Sequence, residues 1–451
     1  MPHEKFHYKS LEEVQAKAAE LGVSLPFAAD THILATPLTA GKVTFPNRLG
    51  IAPMEGADST PEGAPSDYTV RRYVNEAIGG SSVIWFEAIS IVEEGRSSKT
   101  QLLLTRDTLD EFKKMTAAVK EAGIKANGFA PYLIMQANHS GRYSNPGNRP
   151  APMIAYRHPI LEQYRAADDS CIVTDDYLKG LEEKFGEAAQ LAKEAGFDAI
   201  DIKSCHGYLL AELASAYNRP GEYGGSFENR FRLLKNGIRA AKVYEDDSFM
   251  VTARIGIYDG YAYPWGFGVS PESGMTPDLT EPIRLVRDLH NELGLNMVNL
   301  TMGNPYATTH VTRPFDFGKY EPDEHPFVGL ARMIHGIGDV KKAVPEMTVW
   351  ASAPSYLRAY ADLFTAGAVE QGLCDGMLFG RMAFADPDFA NEIIKQGRID
   401  PKRVCLTCGK CGDLIRAHKP TGCVIRDSKT FMPFYKEFLE IKKTQPANFR
   451  G

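Results

Sequence analysis

Residues 180–204, GLEEKFGEAAQLAKEAGFDAIDIKS, hold the pattern on which the fold turns. Up to Gly196 the apolar residues recur at helical spacing, and the glycine is the residue that best tolerates the left-handed conformation that ends a helix. FDAIDIKS then reads as a short strand that ends in polar residues. The same unit repeats outward in both directions. Strands are expected at 48–54, 82–90, 131–136, 197–204, 249–256, 296–302, 347–352 and 375–380, with amphipathic helical stretches at 66–78, 110–123, 180–196, 229–244, 281–294 and 355–367. A parallel sheet joined by crossover helices is either open and doubly wound or closed into a barrel. Eight βα units over about 330 residues favour the α/β (β/α)8 TIM barrel, and no G-x-G-x-x-G follows the first strand to favour an open dinucleotide-binding sheet.

The chain of 451 residues can bury a large core, and 43% hydrophobic with 24% charged residues is ordinary globular composition. A net charge of −6 and the lack of a Lys/Arg-rich run exclude a phosphate-backbone footprint, so no nucleic-acid partner is expected. The first 22 residues are too polar for a signal peptide, and no run of about 18 apolar residues occurs, so a cytoplasmic protein without a membrane span is expected. The expected organisation is an N-terminal helical extension (1–30, with a helix near 10–22), the barrel (31–400) and a cysteine-bearing segment with its tail (401–451). Two long connections, 137–179 and 257–279, leave strand C-termini, where barrels build their sites, and read as substrate-covering loops.

Polar groups collect at those same strand ends: Pro53, Met54 and Glu55, then Glu87, Gln136, Lys203 with His206 and Tyr208, Arg254, and Gly380 with Arg381. Each has a structural alternative, such as an ion pair of Lys203 with Glu55 or Glu87, but residues ending different strands are most economically explained by one common site. The stretches NRLGIAPMEG (47–56), MQANHSGRYS (135–144), residues 195–232 with their G-Y-L-L and E-Y-G-G-S-x-E-N-R, TARIG (252–256) and LFGRMAFADPDF (378–389) resemble the Old Yellow Enzyme superfamily of FMN-dependent oxidoreductases. The resemblance runs over roughly residues 30–425. It implies that Gln136 hydrogen-bonds the pyrimidine side of FMN and that Arg254 lies at the N1/O2 edge, where a fixed cation favours the reduced anion. For the phosphate it points to Ser352, Ala353, Gly380 and Arg381, although many relatives carry Gly in the seventh-strand loop where this chain reads W-A-S-A-P-S. It further implies that Tyr208 is the proton donor to a substrate carbon, and that Lys203 and His206 hold the substrate oxygen where relatives carry a His/Asn or His/His pair. A phenol suits the donor role because it stays protonated at neutral pH.

The second constellation is C-x2-C-x2-C-x11-C, from Cys405 through Cys408 and Cys411 to Cys423. In a reducing compartment such crowding points to metal, and three thiolates from one tight loop plus a distant fourth suit a [4Fe-4S] cubane. Tetrahedral zinc is the competing reading. The position after the last barrel helix resembles the iron–sulfur branch of the superfamily, which includes 2,4-dienoyl-CoA reductase and trimethylamine dehydrogenase. Those relatives continue into FAD- and nucleotide-binding domains, so the resemblance implies a separate electron donor here: a flavin reductase, ferredoxin or flavodoxin. NAD(P)H is expected as direct or indirect reductant, and a homo-oligomer is compatible with the sequence.

Two reactions follow from the resemblance. The first is reduction of a C=C bond beside a carbonyl, acid or thioester. The second is oxidative N-demethylation of an amine, for which Tyr258, Tyr261, Tyr263 and Trp265 would form a cation-binding cage; Lys203 argues against it by repelling an ammonium. Asn304, Tyr306 and His310 are further candidate substrate contacts. A non-catalytic scaffold is the third reading.

Overall fold

The computed structural model describes residues 2–272 and 274–444; the last seven residues of the 401–451 segment lie outside them. Eight parallel strands close into a barrel. They are β1 (Leu49–Ile51), β2 (Val83–Ser90), β3 (Tyr132–Asn138), β4 (Ala199–Ser204), β5 (Met250–Gly256), β6 (Met297–Thr301), β7 (Thr348–Ser352) and β8 (Gly376–Phe379). Neighbours in sequence are neighbours in space, and β8 pairs with β1 through Met377 beside Leu49 and Phe379 beside Ile51. The expected strands are all present. The expected 48–54 stops at Ile51, before Pro53, which has no N–H to give a ladder.

Alternation sorts each strand into two faces. Outward residues such as Ile200, Ile202, Val251 and Val298 pack with the helices into one continuous core. Inward residues form a second core: Val83, Trp85, Ile134, Ala199, Met297, Trp350 and Leu378 fill the barrel. Its floor is a hairpin the sequence reading did not anticipate, Leu38–Ala40 against Val43–Phe45. Phe45 meets Trp350 edge-on at 5.7 Å and seals the N-terminal end. Gly376 is required here, since a Cβ would lie 2.5 Å from the Trp350 ring.

The helices expected at 66–78, 110–123, 180–196, 229–244, 281–294 and 355–367 are present in whole or in part, and Ser10 caps the extension helix Leu11–Glu20. Two helices went unread. Pro326–Ala343, between β6 and β7, buries residues around most of its circumference, so it lacks the one-sided stripe by which helices are recognised. The second, Ser428–Thr444, follows the cysteines.

Candidate active site

The C-terminal mouth of the barrel is organised by a carboxylate that sequence reasoning missed. Asp201 of β4 points inward, two residues before Lys203 on the same face, and is fully buried. One of its oxygens accepts from Trp85 Nε1 at 2.7 Å and from Gln136 Nε2 at 2.6 Å; the other accepts from the Arg254 backbone N–H. Burial raises its carboxyl to about 6, against the lowering by the bonds from Gln136 and Trp85. β2, β3, β4 and β5 are thereby tied together on one side of the mouth. The amide of Gln136 is oriented from below, and Arg254 is held beside Lys203 in register. Arg254 is only 5% exposed and its Nε has no partner, so a built cation faces the mouth with hydrogen-bonding capacity to spare.

Above this row sits a cluster of tyrosines. Tyr208 opens the helix Leu209–Ala214, Tyr306 follows β6, and Tyr143 follows β3. Tyr143 and Tyr306 stack at 3.7 Å with 16° between their planes, and the Tyr208 and Tyr306 hydroxyls lie 2.8 Å apart. Asn304 fixes the pair: its Nδ2 donates to Tyr143 Oη at 3.0 Å and its Oδ1 accepts from the Tyr306 N–H at 2.9 Å. Gly207 lets Asn304 approach, since a Cβ there would stand 2.1 Å from its amide nitrogen. Burial holds the Tyr208 phenol well above its ordinary value, with Tyr306 and Glu55 adding to the effect.

Lys203 lies with its Nζ 3.8 Å from the Tyr208 ring centroid, and among the described residues no carboxylate stands within ion-pair distance of it. The alternative of a structural pair with Glu55 or Glu87 is not realised. Glu87 instead accepts from Arg72 at 2.7 Å, Tyr73 at 3.1 Å and the Gly56 N–H at 2.9 Å, and so braces the loop after β1 from behind. Glu55 accepts from Ser97 at 2.7 Å. Burial, reinforced by Arg254 and opposed by Glu55 and Asp201, brings the Lys203 ammonium down to about 8. His206 adopts a left-handed backbone (φ 67°), its Nε2 is buried without a partner, and burial beside Arg254 and Lys203 keeps its imidazole neutral.

The residues expected on the phosphate side stand where the β7 and β8 loops leave the barrel. Ala353, directly after β7, has φ 75° and ψ 26°, the conformation for which Gly is the strain-free residue. At Gly380 a Cβ would lie 2.9 Å from Met54 Sδ, so the β1 and β8 loops meet there at closest approach, with Pro53 beside them. The Arg381 guanidinium donates to the Pro314 carbonyl at 2.8 Å and reaches toward the cysteines.

The remaining candidates do not join this cluster. Tyr258 donates to the Met275 carbonyl at 2.6 Å, Trp265 stacks over Tyr156 at 6.1 Å, Tyr261 packs edge-on to His158, and Tyr263 lies against Tyr217. Tyr261 and Trp265 thus meet at His158, Tyr263 turns to Tyr217, and Tyr258 bonds within the 257–279 loop itself. His310 bonds Tyr320 at 2.6 Å within the 302–325 loop.

Cys405, Cys408, Cys411 and Cys423 all line one small cavity of about 20 Å³, walled by Arg381, Phe384 and Arg426. Cys405 Sγ accepts from the Thr407 N–H and Cys423 Sγ from the Arg426 N–H, each at 3.3 Å. The segment is docked on the barrel rim: Thr421 N–H donates to the Gly56 carbonyl at 2.8 Å and Thr407 Oγ1 to Asp316 at 3.0 Å. Among the described residues no three His, Cys, Asp or Glu side chains are gathered as a single ion requires. Burial raises the Cys411 thiol, and Arg313 and Arg381 oppose it. Arg313, also missed in the sequence, acts on Tyr306 and on Cys411, and so stands between the tyrosine cluster and the cysteine cavity.

Comparison with known proteins agrees with this geometry. A curated NADPH dehydrogenase of Bacillus velezensis is 34% identical over 223 residues, 48% of this chain and 62% of that protein. An NADH oxidase of Thermoanaerobacter brockii is 26% identical over 377 residues, 82% of this chain and 51% of that protein. The chain thus spans between half and two thirds of the length of these relatives. Among solved structures, a 2-naphthoyl-CoA reductase complex with 2-naphthoyl-CoA superposes with a TM-score of 0.71 at 19% identity, over 88% of this chain and 57% of that one, which is a likeness of fold. The family model described as "NADH:flavin oxidoreductase / NADH oxidase family" matches residues 33–266, from the helical turn before the floor hairpin to the loop after β5, and the chain belongs to that family.

Proposed function

We propose that this protein is an FMN-dependent reductase of C=C bonds conjugated to a carbonyl, carboxylate or thioester, with electrons delivered through a [4Fe-4S] cluster. The observation that carries the reading is the phenol of Tyr208, held protonated in a water-poor mouth beside an unpaired Lys203 and a partner-free His206. The residues fit FMN: Gln136 oriented by Asp201, the spare hydrogen-bonding capacity of Arg254, and the left-handed backbone at Ala353 beside Gly380. When bound there, FMN supplies hydride to one alkene carbon. Lys203 and His206 are suited to receive the negative charge that builds on the substrate oxygen, and Tyr208 gives its proton to the neighbouring carbon.

The cysteines fit a cubane better than a single ion. Four thiols line one cavity, three from a C-x2-C-x2-C run and one from farther along, as a cubane's corners require, and N–H bonds to Cys405 and Cys423 suit thiolate ligands. A cluster at the barrel rim would pass single electrons to the flavin from a donor protein such as a flavin reductase, ferredoxin or flavodoxin, whereas NAD(P)H would give its hydride to a flavin, here or in the donor protein. The amine reading loses support, since Tyr258 and Tyr263 turn to partners other than the His158 that Tyr261 and Trp265 share, and Lys203 already covers the Tyr208 ring.

The test is an anaerobic screen of dithionite-reduced enzyme against enones, enoates and enoyl thioesters, with oxidised enzyme against methylated amines in parallel. Alkene reduction is expected, slowed about 100-fold or more in Tyr208→Phe. Amine oxidation without alkene reduction sinks the proposal.

A further inference from the structure

We infer that Tyr306 is a second catalytic tyrosine, a relay that hands its proton to Tyr208 in the same step in which Tyr208 protonates the substrate. The inference rests on the reading of Tyr208 as proton donor. Among the described residues the only hydrogen-bond partner of the Tyr208 hydroxyl is Tyr306 Oη, 2.8 Å away. Tyr208 is 5% exposed and Tyr306 38%, so one hydroxyl is shut inside the mouth and the other belongs to a residue that reaches solvent. A buried phenolate forming on Tyr208 as its proton leaves has no nearer source from which to recover it.

The surroundings hold Tyr306 to this task. Its ring is clamped face to face on Tyr143, and its backbone N–H is fixed by Asn304, whose amide also receives Tyr143 into the same lattice. Tyr208 and Tyr306 are the same chemical group, and their hydroxyls are within direct hydrogen-bond reach, so a proton can pass from one to the other without an intermediary. The balance is simple. The Tyr208 O–H bond breaks as the substrate C–H bond forms, the Tyr306 O–H bond breaks in the same step as Tyr208 regains its proton, and water then reprotonates Tyr306. Nothing is oxidised or reduced in the relay, and one solvent proton enters the product per hydride.

The experiment is single-turnover oxidation of reduced enzyme by the alkene that the wild type reduces fastest, in mixtures of H2O and D2O, for wild type, Tyr208→Phe and Tyr306→Phe. The phenylalanine at 306 keeps the stack on Tyr143 and removes only the hydroxyl. For wild type the rate should bow downward with deuterium fraction, as two moving protons require. Tyr306→Phe should slow the step about 10- to 100-fold, straighten that dependence, and recover rate with added imidazolium or another small buffer acid. If Tyr306→Phe raises only KM, keeps the bowed dependence and ignores buffer acid while Tyr208→Phe is slow, the relay is wrong and the donor assignment stands. If Tyr208→Phe is itself unimpaired, or no alkene is reduced, donor and relay fall together.

Discussion

The barrel mouth and the cysteine segment are built differently. At the barrel mouth the key groups stand on strands, and their partners are register neighbours: Gln136 opposite Asp201, and Lys203 opposite Arg254. The cysteines stand on a short segment after the barrel: Cys411 lies in the helix Lys410–Arg416, Val404 and Cys405 join the main core, and Thr421 and Thr407 bond barrel loops at Gly56 and Asp316. One site is built on rigid strands; the other gathers its thiols around a small cavity. Strand-borne chemistry should therefore survive loss of its cofactor, and loop-borne chemistry should not.

The sharpest way to break this contrast is Cys408→Ala. It should abolish the cluster's iron and its broad visible absorption, and make the segment after residue 401 sensitive to protease, while the far-UV signal of the barrel persists. Cooperative loss of the barrel in that variant would erase the distinction. Asp201→Asn comes next. The neutral amide no longer satisfies Trp85, Gln136 and Arg254 together, and a lost buried charge-assisted network costs about 2–3 kcal/mol, so FMN affinity should fall about 30- to 100-fold by equilibrium dialysis.

A smaller effect concerns pH. The cation at Lys203 exists below about 8 and is lost above it, with Glu55 and Asp201 favouring the charge and Arg254 opposing it. Alkene reduction should decline as pH rises through about 8, and Lys203→Arg, which does not titrate there, should flatten that limb. An unchanged profile in Lys203→Arg removes Lys203 from oxygen binding. The smallest effect is at Ala353. Relief of its left-handed strain by Ala353→Gly should stabilise the protein by about 1 kcal/mol in denaturant unfolding, offset in part by glycine's greater entropy when unfolded.

Much of the barrel is legible in the sequence because each strand announces itself locally, by an apolar run that ends in polar residues beyond a Gly-closed helix. The strand ends then point to Gln136, Lys203, Tyr208 and Arg254 without knowledge of their neighbours. Asp201 is harder to read. Its position inside IDIK shows only that it faces inward, while its meaning lies in Trp85, Gln136 and Arg254 on three other strands. The Glu87 environment is hard to read for the same reason, since its partner Arg72 comes from a helix whose rotation the sequence does not state. Tyr143 and Arg313 sit on irregular loops, where no periodicity says which way a side chain turns. The cysteines are legible as a group by spacing alone, because nearness along the chain forces nearness in space.

The pairing of Met377 with Leu49 bears on how the chain is made. As the polypeptide emerges from the ribosome, one flank of the first strand waits with open hydrogen-bonding groups until the eighth strand has been synthesised. Closure of the barrel is thus its most sequence-distant pairing and should be among the last steps of folding.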